Sequence, residues 1–165
     1  MQSPLIPNLS DQEISAIDNE IAHAPCRAAV AIDALKIVQS HRGWVSDASL
    51  QAIARHLHMS AAELDGIATF YNLIFRRPVG EQVILLCNSI TCWIKGASQI
   101  QQQISARLHI GLGETSADNQ YTLLPVTCLG ACDRAPVMLV GEQLHTHLDD
   151  AALELIFRSR EEAEE

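Results

Sequence analysis

Two pairs of cysteines, each placed where an apolar run ends, restrict what this chain can fold into more than any other feature. Cys87 closes the run "QVILLC", and Cys92 follows after four intervening residues; Cys128 closes "YTLLPVTC", and Cys132 follows after three. The first run is short and apolar with two β-branched residues, which predicts a strand buried on both faces with Cys87 at its mouth. Ile100, Ile104 and Leu108 then recur every four residues, predicting a helix after Cys92 before the second run returns as a strand to Cys128. Neighbouring strands lie about 4.8 Å apart, so loops at the ends of such a βαβ unit can gather four sulfurs around one small centre.

The rest of this half continues the layer. "PVMLV" and "QLHTHL" flank the turn residues Gly141-Glu142, and Asp149 is placed to cap a last helix running through Phe157. The resulting order β-α-β-β-α matches a thioredoxin-like layer. Pro125 has no N–H to give to a ladder, so its strand should lie at an edge or carry a bulge. Residues Gly111 to Gln120 show no secondary-structure signal.

The first half reads as helices. Ser10 with Glu13, and Ser60 with Glu63, form capping boxes in which hydroxyl and carboxylate satisfy backbone N–H groups that have no partner inside the helix. Between them, a helix from about Arg27 to Ser40 stops at Gly43, with Asp33, Lys36 and Ser40 as its polar stripe, and Leu50, Ile53, Ala54 and Leu57 mark an amphipathic third helix. The expected fold class is α+β or α/β, with an N-terminal helical bundle segment over residues 1–78 and a thioredoxin-like cysteine-bearing domain over 79–165. Phe70, Tyr71 and Phe75 near the junction suit core packing or a permanent interface.

Four thiols can serve several chemistries. Structural zinc sites usually come from knuckles with two residues between the cysteines of a pair, so spacings of four and three favour two irons bridged by sulfides, [2Fe–2S], over zinc. A disulfide framework does not suit a reducing compartment, and no C-x-x-C is present to act as a dithiol redox pair. Cys26 stands apart from both pairs and reads as a small buried hydrophobe. Histidines are not needed as ligands: His56 and His58 belong to the helical half, and His145 and His147 to a strand. Gly130, lacking a Cβ, lets the backbone N–H approach the centre, and Gly96 is a second candidate for that role. Lys95 is the cation nearest the first pair and a candidate for offsetting negative charge.

Net charge and segment lengths exclude other classes. At −9, with the tail "REEAEE", the chain lacks the clustered Lys and Arg that neutralise phosphates, so nucleic acid is not expected as a partner. Arg27, Asp33 and Lys36 interrupt the richest apolar stretch well before the roughly 18 residues of a membrane span. The opening "MQSPLIPNLSDQE" carries no basic n-region, which predicts a cytoplasmic location.

"GIATFY" (Gly66 to Tyr71), "CNSITC" (Cys87 to Cys92) and "CLGACDRAP" (Cys128 to Pro136), together with "ALKIVQSHRGWV" (Ala34 to Val45), resemble the motifs of the E subunit family of NADH–quinone oxidoreductase, respiratory complex I. The resemblance covers nearly the whole chain and implies a thioredoxin-like [2Fe–2S] ferredoxin fold with Cys87, Cys92, Cys128 and Cys132 as cluster ligands. It implies an electron-transfer subunit of an oxidoreductase, peripheral to the inner membrane through its complex. The implied partner is a flavoprotein subunit that binds NADH and FMN; this chain shows no G-x-G-x-x-G, so NADH chemistry belongs to that partner. Similar subunits serve NAD-linked hydrogenases and formate dehydrogenases. A zinc-stapled interaction module is the rival from another class. Asp118-Asn119 stands where relatives often have Asp-Gly before the second strand.

Overall fold

The structure, a computed structural model, describes residues 8–161. The opening stretch through Pro7 and the end of the acidic tail lie outside the described residues. The chain divides into two compact units between Pro78 and Val79.

The first unit holds four α-helices: α1 (Asp11–His23), α2 (Ala31–Arg42), α3 (Asp47–Leu57) and α4 (Ala61–Phe70). Both capping boxes form as the spacing predicts, at Ser10–Glu13 and Ser60–Glu63. The expected helix from Arg27 begins instead with a 3₁₀ turn, Arg27–Val30, and becomes α-helical at Ala31. Helix α3 starts on a cap that the apolar periodicity does not mark: the Ser46 hydroxyl accepts the Ser49 N–H at 3.1 Å. Ile17, Leu35, Val38, Ile53, Leu57 and Leu64 form the centre of this unit, each no more than 1 % exposed. Burial of a side chain of this size contributes roughly 2 kcal/mol.

Glu13 does more than cap. Its carboxylate accepts two hydrogen bonds of 2.6 Å from Arg42 at the end of α2, while the side chain is buried. These bonds hold the Glu13 carboxyl below its ordinary value of 4.5, against the opposing effect of burial. A carboxyl depressed in the folded state contributes stability that is complete above that ordinary value and is lost as pH falls through the lowered one. Glu13→Ala removes the carboxylate half of the capping box and takes from Arg42 its buried carboxylate partner, so urea unfolding at neutral pH should show a loss of about 3 kcal/mol. The difference from wild type should narrow as the solution is acidified; a loss that does not change with pH would contradict the ion-pair account.

The second unit is a four-stranded sheet in the order β2-β1-β3-β4, from β1 (Gln82–Cys87), β2 (Tyr121–Val126), β3 (Met138–Val140) and β4 (Gln143–His145). Strands β1 and β2 run parallel, with Cys87 opposite Val126, and β3 and β4 are antiparallel additions. Helices α6 (Ala97–Leu108) and α7 (Asp150–Glu161) supply Ile100, Ile104, Leu153 and Phe157 to one face of the sheet, against Ile84, Leu86, Leu123 and Met138. Because side chains alternate along a strand, Leu85, Cys87, Val126 and Val137 fall on the other face, with Cys92. Asp149 caps α7 as expected, its Oδ1 accepting the Ala152 N–H at 2.8 Å.

Pro125 sits on an edge strand, as its missing donor requires. The Leu123 N–H points outward to the Glu114 carbonyl at 3.1 Å. Two residues on, the absent Pro125 N–H would face the same outer side, beyond Thr115, which bridges Thr122. The segment Gly111–Gln120 is therefore not a free loop; it folds back along the first half of β2. Asn119 closes this segment at φ 60°, the left-handed conformation that Asn tolerates and that Gly adopts most readily.

Candidate metal centre

The cysteines sit at the ends of β1 and β2, but not all in loops. Cys87 is the last residue of β1, and Cys92 precedes the helix that the periodicity predicts but itself lies inside an additional one-turn helix, α5 (Ile90–Ile94). That periodicity belongs to α6, separated from α5 by Lys95 and Gly96. Cys128 follows β2, and Cys132 opens a 3₁₀ turn, Cys132–Arg134.

Each of the other three thiols lies within electrostatic reach of Cys132. Cys128 and Cys132 Sγ are 3.3 Å apart, close to the separation of about 3.8 Å between two thiolates on one tetrahedral metal at about 2.3 Å. Cys87 and Cys92 influence one another electrostatically, and Cys132 interacts with both of them. The pairs differ in exposure: Cys87 and Cys92 are each 1 % exposed, whereas Cys128 and Cys132 reach the surface. Among the described residues, no three His, Cys, Asp or Glu side chains converge as ligands of a single ion. A two-iron cluster asks instead for two pairs, one on each iron. Four thiols in two adjacent pairs are a donor set that fits such a group.

Burial and hydrogen bonds divide the thiols electrostatically. Burial, with the Cys87 hydrogen bond, pushes the Cys92 thiol up to about 11, against a backbone hydrogen bond from Val137. The Gly130 N–H donates to Cys128 Sγ at 3.3 Å and lowers that thiol, while the neighbouring Cys128 raises Cys132. A hydrogen bond from Thr91, on α5, partly offsets the rise at Cys132. Ligation needs thiolates, so loading this site releases protons, above all from Cys92.

Several expectations change. Gly130 does present its N–H to sulfur, but a Cβ there would meet nothing within 4 Å; what glycine supplies is φ +81°. The Gly96 N–H is taken by the Trp93 carbonyl at 3.1 Å, so it does not point to the thiols. Cys26 is exposed, not a buried hydrophobe, and belongs to the first unit. Lys95 is exposed at the end of α5 and lines a cleft with Asp149 and Asp150. His56 bonds Asp18 at 2.8 Å, and His58 ends α3 in the left-handed conformation. Reading by motifs misses Thr91, the Val137 backbone and the apolar residues around Cys92; the pattern "ITCWI", apolar at i, i+3 and i+4, is the available signal for the last.

The sequence pattern described as thioredoxin-like [2Fe-2S] ferredoxin matches residues 17–161. The chain belongs to the thioredoxin-like [2Fe–2S] ferredoxin family. Its relatives within that family include the E subunit of the NADH-quinone oxidoreductase of Escherichia coli (strain K12), 46 % identical over 145 residues, 88 % of this chain and 87 % of that one. The protein of the same name from Pseudomonas aeruginosa is 46 % identical over 137 residues, 83 % of this ferredoxin and 82 % of the relative. That from Buchnera aphidicola of Acyrthosiphon pisum is 42 % identical over 151 residues, 92 % and 93 % of the two chains. A solved NAD+-reducing [NiFe]-hydrogenase shares the fold, with a TM-score of 0.68 over 78 % of this ferredoxin at 20 % identity. The ferredoxin spans about a fifth of that hydrogenase chain, 22 %.

Proposed function

We propose that Cys87, Cys92, Cys128 and Cys132 hold one [2Fe–2S] cluster, and that the chain is the electron-transfer subunit of an NADH–quinone oxidoreductase, taking electrons from the FMN of a flavoprotein subunit that binds NADH. The observation that carries the reading is the meeting of four thiols, two sealed and two at the surface, in a chain 42–46 % identical to E subunits of that enzyme. Bound there, the cluster supplies a one-electron redox couple. The residues of the chain do the rest. The four thiolates fix the group, the Gly130 and Val137 N–H groups stabilise charge on sulfur, and Leu85, Val126 and Val137 exclude water from the inner pair. Apolar surroundings and an anionic chain disfavour added negative charge, so the reduction potential should be low.

The first unit docks on the flavoprotein in this reading. Phe70, Tyr71 and Leu73 are 80, 42 and 51 % exposed, although the backbone beside them is fixed. The Gln39 side chain donates to the Leu73 carbonyl at 2.9 Å and accepts the Phe75 N–H at 2.6 Å. Phe75, also expected at such a surface, is half-buried, as is Trp44. Among the described residues, no helix is long and apolar enough to cross a membrane, and the complex provides the attachment to the cytoplasmic side of the inner membrane.

The test is to purify the tagged chain from its own cells and to measure iron, acid-labile sulfide, flavin and zinc. Iron and sulfide in equal amounts, a paramagnetic signal on dithionite reduction and a co-purifying FMN-containing, NADH-oxidising polypeptide are expected. A colourless protein that carries zinc would refute the proposal, as would a [2Fe–2S] protein that brings no flavoprotein with it.

A further inference from the structure

The helix that carries Cys92 turns its other side to solvent. Ile90, Trp93 and Ile94 are 74, 65 and 68 % exposed, while Cys92 among them is 1 % exposed. Positions i, i+3 and i+4 share one face of a helix, so the three form a single apolar stripe directly behind a cluster ligand. Three such side chains present on the order of 400 Å² of apolar surface, the size at which an exposed patch marks an interaction site.

We propose that this α5 face is where the flavoprotein subunit seats an apolar surface of its own to exchange electrons with the cluster; the inference rests on the function proposed above. The occupant follows from the asymmetry of the thiols. Cys87 and Cys92 are sealed, so an electron donor comes closest where Cys128 and Cys132 open to the surface. Helix α5 lies beside that opening, because its Cys92 shares one buried cluster with Ala131, the neighbour of Cys132. Lys95, at the end of α5, and Asp133 and Arg134, after Cys132, are exposed and of mixed sign. An apolar centre with a charged rim is the usual anatomy of an interface. The patch is about half of the roughly 800 Å² that one partner contributes to a stable interface. It is too small to hold a second copy of this chain by itself, but sufficient as a second contact for a partner already held through the first unit.

The experiment compares Trp93→Ala, Trp93→Phe and Leu155→Ala in the full chain, each loaded with its cluster and titrated with the flavoprotein subunit. Leu155 is equally exposed, at 70 %, but belongs to α7, which covers the opposite face of the sheet. All three variants should keep wild-type iron content and visible spectrum. Trp93→Ala should weaken binding about 30-fold, the effect of losing a central aromatic anchor, while Trp93→Phe and Leu155→Ala stay close to wild type. Unchanged affinity in a fully loaded Trp93→Ala protein would overturn the proposal. So would a Trp93-dependent dimer of the isolated chain, which would make a second copy the occupant. A wild-type chain that does not bind the flavoprotein would instead bring down the functional reading, and this inference with it.

Discussion

Alanine at any one of Cys87, Cys92, Cys128 or Cys132 is expected to leave the purified chain without its iron and its visible absorbance, whereas Cys26→Ala keeps both. Losing a group that only supports a ligand costs about 10–100-fold in metal affinity, and losing the ligand itself must cost more. The described histidines and carboxylates offer no nearby replacement set. The two pairs should differ once the cluster is gone. Cys92 is buried among Leu85, Ala97 and Val137, so Cys92→Ala also opens a cavity and lowers the stability of the cluster-free chain. Cys128 is exposed, and Cys128→Ala should leave the cluster-free chain as stable as wild type, within about 0.5 kcal/mol. Iron analysis of the five variants, with urea unfolding of the cluster-free forms, checks both statements. Iron lost from Cys26→Ala, or retained by any of the other four, would break the assignment.

The double variant Phe70→Asp, Leu73→Asp should release the chain from its flavoprotein without unfolding it. Both side chains are more than half exposed, so the helical unit loses little packing, within about 0.5 kcal/mol per site. Their backbone stays fixed by Gln39, and the Phe75 carbonyl accepts the Val45 N–H at 2.8 Å. Phe70 and Tyr71 also meet edge to face, with centroids 5.2 Å apart, an arrangement maintained in the open. Two carboxylates forced into a desolvated apolar contact should cost association more than about 30-fold, the scale of a hot spot. Co-purification with wild-type partner, alongside circular dichroism of the variant, separates docking from folding. Unaltered association in a folded double variant would show that the first unit does not carry the contact.

Much of this architecture is legible because local rules decide it. Capping boxes at Ser10 and Ser60 act within three residues, and they appear where the spacing places them. The unbroken apolar run in "QVILLC" and the recurrence of Ile100 and Ile104 at a spacing of four report burial directly. What escapes such rules are devices joining residues far apart in sequence. Glu13 reads as a cap, and only the fold brings Arg42 to it. Gly111–Gln120 has no periodicity, because it is held by bonds to β2 and not by an apolar face. Cys92 precedes α6 as read, but the short helix α5 that holds it goes unread, since five residues are too few to show a period.

By itself the sequence determined the class of chemistry: two cysteine pairs at strand ends, spaced too widely for zinc knuckles, in a chain too acidic for nucleic acid. It also determined the starts of α1, α4 and α7, since caps depend on neighbours within one turn; the strand count it left short, because β2, β3 and β4 all follow the helices where the order β-α-β-β-α allows two strands. The tertiary structure alone decided which thiols are sealed and which open to the surface, because exposure depends on what the sheet and helices place over each sulfur. For the same reason it alone showed that "ITCWI" turns Cys92 inward and Ile90, Trp93 and Ile94 outward. An apolar residue carries the same side chain in a core and at an interface, and only the packing around it tells the two apart.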